Sequence, residues 1–177
     1  MWIFKDYKLL SKEEHQKILE IRNEIKIREA SRSSHAIPLQ DHLQWVDSLD
    51  DSQCYFALFI DGEAIGGLNY KTEKEDVKNW GIFFSENAKP LISSLATYIF
   101  IEYMLSNYKV LNSEVLRKNS QAVKFNNYFG VNIINEDKEF LYLQLTQGMW
   151  DKHKVRLKSL QKRVAMIEYK FKRQEDD

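Results

Sequence analysis

The segment LNSEVLRKNSQAVKFNNYFG, residues 111–130, holds residue types that could do chemistry. It alternates like a strand as far as Leu116, then switches at Lys118 to helical spacing, with Ala122, Phe125 and Phe129 three and four apart. Glu114 therefore lies in a strand, and Asn119, Asn126 and Asn127 begin or occupy the helix behind it. A strand carboxylate is either a proton acceptor or an outward-facing solvated side chain, because strands put alternate residues outside. An asparagine amide can hydrogen-bond, but it cannot donate a proton and become an anion near neutral pH. His42 is a second candidate, three residues after Leu39 and three before Trp45 at the edge of a helical apolar face. It is either a partly buried packing residue or a ligand contact.

The elements that must position these groups are legible around them. A strand near Trp2 to Leu9 precedes SKEE, where Ser11 and Glu14 form a capping box opening a helix to about Asn23. IREASRSSHAIP is the loop expected to move most. Pro38 stands near the first turn of a second helix, whose apolar face is Leu39, Leu43, Val46 and Leu49. CYFALFI, Asp61-Gly62 and EAIGGLNYK read as a hairpin, and VKNWGIFF as the third strand of a meander. A helix from about Ser93 to Ser106, the strand and helix of 111–130 and a last strand, EFLYLQLT, complete the order β, α, α, β, β, β, α, β, α, β.

The chain of 177 residues suits one domain, with 44% apolar and 29% charged residues and a net charge of zero. That balance provides no overall field for nucleic acid. Residues 149–177 hold nine Lys or Arg against five acids, so this tail is +4 and the remainder −4. The single cysteine, Cys54, cannot form an intramolecular disulfide and reads as a buried thiol, which suits a reducing cytoplasm. The N-terminus MWIFKDYKLL is too short in apolar residues for a signal peptide, and no stretch is long enough to cross a membrane. Near the C-terminus, Trp150, His153, Leu157, Leu160, Val164, Ile167 and Phe171 follow a 3-4 spacing. That pattern predicts a long basic helix over 148–177, appended to a domain of residues 1–147. The helix would be a homodimer seam, a surface packed on its own domain or a membrane-surface helix.

The element order, and Asn119, Ala122 and Gly130 within the pattern N-x-x-A-x-x-x-Y-x-x-x-G-F, resemble the GNAT superfamily of acyl-CoA-dependent N-acetyltransferases. Arg22-Asn23, LQDHLQWVDSL with His42 and Trp45, IGG at 65–67, NWGIFF and INEDKEFLYL are similar to the nucleotide-aminosugar N-acetyltransferases of pseudaminic and legionaminic acid biosynthesis. The similarity runs over roughly residues 10–145. It implies an α/β (α+β) fold with a central mixed, mostly antiparallel sheet flanked by helices. It also implies acetyl-CoA as donor without a metal, and the 4-amino group of a nucleotide-linked aminodideoxy sugar as acceptor. Alternatives are a degenerate fold serving as a scaffold, and an acetyltransferase for a protein N-terminus. Membrane insertion and nucleic-acid binding are not expected.

The resemblance also implies roles. Backbone N–H groups of Ile82, Phe83 and Phe84 would meet the oxyanion and pantetheine, and Glu114 would accept the amine's proton, directly or through water. Arg22, His42 and Asn69 would face the nucleotide-sugar, while Lys89, Ser93, Ser94 and Asn119 would hold the donor. Two departures stand out. The pyrophosphate loop pattern R/Q-x-x-G-x-G/A meets ENAKPLISSLA, where Pro90 lacks an N–H and Leu91 and Ile92 add bulk. Ser93 and Ser94 are then expected to cap the helix. Asn126 takes the place of the tyrosine that protonates the leaving thiolate in many relatives, and can only orient the donor or polarise its sulfur. Tyr128, about 200° further round the helix, is no easy substitute.

Overall fold

A computed structural model describes residues 1–174, and these divide into two compact units. The first comprises residues 1–71, 81–90 and the chain from Ile167; the second comprises 72–80 and 91–166.

In the first unit β1 (Trp2–Asp6) and β2 (Gln53–Ile60) pair antiparallel, and β2 pairs antiparallel with β3 (Glu63–Lys74). The β2–β3 turn is the Asp-Gly hairpin read from the sequence: Asp61 and Gly62 both have positive φ, 50° and 87°, which matches the twist of the strands. α1 (Lys12–Arg22) opens with the expected capping box, Ser11 accepting from the Glu14 N–H at 3.2 Å and Glu14 from the Ser11 N–H at 2.8 Å. α2 (Ile25–Glu29) forms at the start of the segment expected to be a loop, and α3 (Leu39–Asp47) follows. The far end of that loop is pinned. Asn23 takes both backbone groups of Ile37, donating to its carbonyl and accepting from its N–H at 2.9 Å each. Ile18 and Ile21 of α1, Val46 of α3, Leu49, and Ala57 and Phe59 of β2 form one apolar core with Tyr7.

In the second unit the strand order is β6 (Asn132–Glu136), β7 (Phe140–Thr146), β5 (Val110–Leu116) and the start of β4 (Val77–Phe84). β5 is antiparallel to β7 over seven pairs, while its parallel ladder with β4 has three, Val77–Val110, Lys78–Leu111 and Asn79–Asn112. α4 (Pro90–Asn107) is buried along most of its length, including Leu95, Phe100, Ile101 and Met104, as its apolar composition on every side demands. α5 (Ser120–Tyr128) follows β5. The strand-to-helix switch at 116–120 is where the sequence put it. The mixed, mostly antiparallel sheet with flanking helices matches the expected fold class.

The C-terminal expectation is overturned. There is no long helix: α6 (Gln147–His153), a 3-10 turn at Lys154–Arg156 and α7 (Lys158–Val164) are followed by a strand, β8 (Tyr169–Lys172). Residues 175–177 of the expected helix lie outside the described residues. The spaced apolar side chains turn inward. Trp150, Leu157 and Leu160 are buried in the second unit, Trp150 fully, with its indole N–H donating to Glu102. In the first unit β8 pairs parallel with β1 and Phe171 stacks on Phe4 at 4.5 Å. The seam that was to join two copies is consumed within one chain, so the homodimer expectation loses its basis.

Candidate functional site

The nominated residues fall in both units: Arg22, His42, Asn69, Ile82, Phe83, Phe84 and Lys89 in the first, Ser93, Ser94, Glu114, Asn119 and Asn126 in the second.

His42 is buried on α3, and its Nε2 lies 3.1 Å from Nδ1 of His15 on α1. Tyr7, Trp45 and Tyr55 pack round the pair; the Tyr7 ring centroid is 6.0 Å from His15 and 5.7 Å from His42, and Trp45 and Tyr55 meet edge-on at 4.7 Å. A hydrogen bond between two imidazoles needs one ring nitrogen to donate and the other to accept. Burial, with His15 adding repulsion, pushes His42 down to about 4, and burial lowers His15 too. Both are neutral near pH 7. Burial also holds the Tyr7 phenol above its ordinary range, so it keeps its proton.

Arg22 ends α1, and its Nη1 is buried with no hydrogen-bond partner among the described residues. Burial lowers its pKa, opposed by the Tyr7 phenol, yet a guanidinium stays charged. A buried, unpartnered N–H of this kind costs free energy until something accepts from it. Glu24 fixes the chain just beyond Arg22: its carboxylate accepts from the Ser85 hydroxyl at 2.8 Å and the Glu86 N–H at 2.7 Å, and Lys26 pairs with Glu86 at 2.8 Å. The end of α1 is thereby strapped to the turn that follows β4.

The IGG turn positions the end of β4. A Cβ on Gly66 would come within 2.2 Å of the Phe83 carbonyl, and one on Gly67 within 2.4 Å of the Phe83 ring. Only bare backbone lets β3 approach Phe83 and Phe84 this closely. Asn69 sits opposite Tyr55 in the β2–β3 ladder, its amide oxygen 3.1 Å from where a Gly81 Cβ would lie.

In the second unit Glu114 is half-buried on β5, opposite Tyr142 of β7. Asn119 caps α5, accepting from the Ala122 N–H at 3.0 Å. The Asn126 amide donates to the Ala122 carbonyl at 2.9 Å, one turn back, which leaves one of its two N–H groups. Its backbone carbonyl accepts from Phe129 and Val131, so the asparagines close the helix. Tyr128 is half-exposed, and its carbonyl is 2.9 Å from His153 Nε2.

Ser93 and Ser94 do not cap α4, because Pro90 is its first residue and both serines lie inside the helix. Proline fits that position well: its missing N–H would have been unpartnered and its φ is preset. Lys89, just outside, is exposed. Among the described residues no cluster of three or more His, Cys, Asp or Glu could hold a metal. Cys54 is buried as expected, its thiol pushed up to about 12 by burial and by Asp6.

A cavity of the first unit, about 630 Å³, is lined by Tyr7, Lys12, His15, Leu43 and Asp47. None of the nominated residues lines it. The sequence singles out neither Tyr7 and His15, which contact His42, nor Glu24, which binds the turn after β4. His15 was within reach, since His15, Ile18, Leu19 and Arg22 keep helical spacing on one face of α1.

No family model matches the chain. The chain is 28% identical over 148 residues to acetyltransferase PseH of Campylobacter jejuni, covering 81% of this chain and 93% of that one. A crystal structure of the Campylobacter jejuni N-acetyltransferase PseH in complex with acetyl coenzyme A superposes with a TM-score of 0.68 at 23% identity, covering 83% of this chain and 99% of that one. FdhC, described as a nucleotide-linked sugar GNAT, superposes with a TM-score of 0.66 at 18% identity, covering 86% and 92%.

Proposed function

We propose that this chain, which has the GNAT acetyltransferase fold and resembles the PseH acetyltransferases, transfers an acetyl group from acetyl-CoA to an amino group. The acceptor is a nucleotide-linked 4-amino-4,6-dideoxy sugar. The observation that carries this reading is the match to PseH along nearly the whole of that protein.

The donor supplies an acetyl thioester. The end of β4 suits its carbonyl: Ile82, Phe83 and Phe84 lie beyond the three-pair ladder with β5, and Gly66 and Gly67 leave room against them. The turn after β4 suits its pyrophosphate less well, because Pro90 has no N–H to offer and Glu24 already accepts from the Glu86 N–H. Lys89 remains as an exposed cation there.

On the acceptor side, the unpartnered Arg22 Nη1 is assigned to a phosphate or carbonyl oxygen of the nucleotide-sugar. The neutral His15–His42 pair shapes this part of the first unit, with Trp45 and Tyr55. Glu114 takes the proton that the amine must lose before it attacks. Asn126 offers its remaining N–H to the sulfur, which leaves as a thiolate without an acid since an ordinary thiol pKa is about 8.5.

The test is incubation of the protein with acetyl-CoA and UDP- or GDP-linked 4-aminosugars, read by mass spectrometry. The proposal expects one acetyl group on the sugar nitrogen and release of CoA. Acetyl-CoA that binds without transfer to any of them would refute the substrate class.

A further inference from the structure

Between α6 and the end of α7, five cations stand exposed: Lys152, Arg156, Lys158, Lys162 and Arg163. No side chain of the five makes an ion pair or hydrogen bond with a described residue, and the only acid between 147 and 166, Asp151, pairs with Lys154 at 2.9 Å. Local structure accounts for part of this charge. Lys162 and Arg163 lie in the last turn of α7, where the helix dipole favours cations. Lys152 lies likewise in the last turn of α6, but Lys158 is opposed by its helix. Lys158 is the first residue of α7, where the dipole disfavours a cation, and it stands one turn from Lys162 with a like charge.

Leu157 and Leu160 are buried, so α7 turns Lys158, Ser159, Lys162 and Arg163 outward. Two apolar side chains of the same segment are not covered by the fold either. Met166, one turn beyond Lys162, is 85% exposed, and Val155, next to Arg156, is 56% exposed. Cations with protruding aliphatic groups among them fit a surface that is anionic outside and apolar beneath. They fit single-stranded nucleic acid less well, because the only Trp, Tyr or Phe between residues 147 and 166, Trp150, is fully buried.

We propose that the surface of residues 152–166 docks reversibly on an anionic phospholipid bilayer, the cations meeting headgroup phosphates while Val155 and Met166 enter the headgroup boundary. This is peripheral attachment, since among the described residues no helix is long and apolar enough to span a membrane.

The experiment is cosedimentation of the full chain with vesicles of phosphatidylcholine alone and of phosphatidylcholine mixed with phosphatidylserine. Binding is expected to the mixed vesicles only, and to weaken as salt rises. Each cation near such a surface contributes about fivefold to partition, so the double variant Lys158→Gln, Lys162→Gln should lose roughly 25-fold. Met166→Ser should weaken binding at low and high salt alike, because it removes the apolar contact and leaves the charge unchanged. No binding to the mixed vesicles overturns the proposal. So does equal binding of polyuridylate RNA and vesicles with Met166→Ser silent, which is the behaviour of a surface that holds any polyanion.

Discussion

His15 Nδ1 and His42 Nε2 lie 3.1 Å apart, buried together between α1 and α3, and each ring depends on the other staying neutral. Both pKa values are depressed, His42 from 6.5 to about 4. The unfolded chain therefore takes up protons before the folded one does. The pair contributes fully above pH 6.5, and stability falls as pH drops from 6.5 toward 4, by on the order of 1–3 kcal/mol. Thermal melts across that range should show the fall in the wild type and a clearly shallower one in His42→Gln. Parallel melting curves would mean that the pair does not govern acid stability.

Arg22 should separate binding from stability. Its unpartnered Nη1 means that Arg22→Met removes a costly buried polar group, so the melting temperature should hold or rise. A hydrogen bond to a charged partner is worth about 1.5–3 kcal/mol, so kcat/KM for the acceptor should fall roughly 10- to 150-fold. A variant that melts several degrees lower with unchanged acceptor kinetics would make Arg22 structural.

Gly130 has φ +76, and a Cβ there would lie 2.5 Å from the His153 ring. Gly130→Ala should cost about 1–3 kcal/mol in urea denaturation, from strain and from displacing His153 off the Tyr128 carbonyl. Adding His153→Ala should return part of the loss, since it removes the clash. No recovery in the double variant would put the whole cost in the backbone.

Leu160 is 4% exposed inside the second unit. Leu160→Ala should cost about 2–4 kcal/mol while leaving the sedimentation coefficient unchanged at all concentrations. A shift in assembly state without loss of stability would return the residue to an interface between copies.

The fold was legible in the sequence where local chemistry decides. Ser11 and Glu14 could only be a cap, and Asp61-Gly62 only a tight hairpin, because each feature depends on neighbours in the chain. The C-terminus misled for the opposite reason. Trp150, Leu157, Leu160 and Phe171 keep a 3-4 spacing, but spacing does not say whether the helix is continuous, and the chain turns at Lys154–Arg156 without a proline or glycine. The alternation Tyr169, Lys170, Phe171, Lys172 was a strand signal hidden under the heptads. The His15–His42 contact spans 27 residues and depends on how α1 and α3 pack, and the Glu24 strap spans 61. No local pattern announces either.

The proposed acetyl transfer has Glu114 as its proton acceptor. Its most direct measurement is the rate of CoA release with a nucleotide-linked 4-aminosugar, comparing the wild type with Glu114→Gln, while calorimetry follows acetyl-CoA binding to both. Donor affinity should match, and turnover should be lower by roughly 10² to 10⁴ in the variant. Equal turnover in the two proteins would contradict it, and if Tyr128→Phe then abolished turnover with the donor still bound, the proton chemistry would belong to the end of α5 instead.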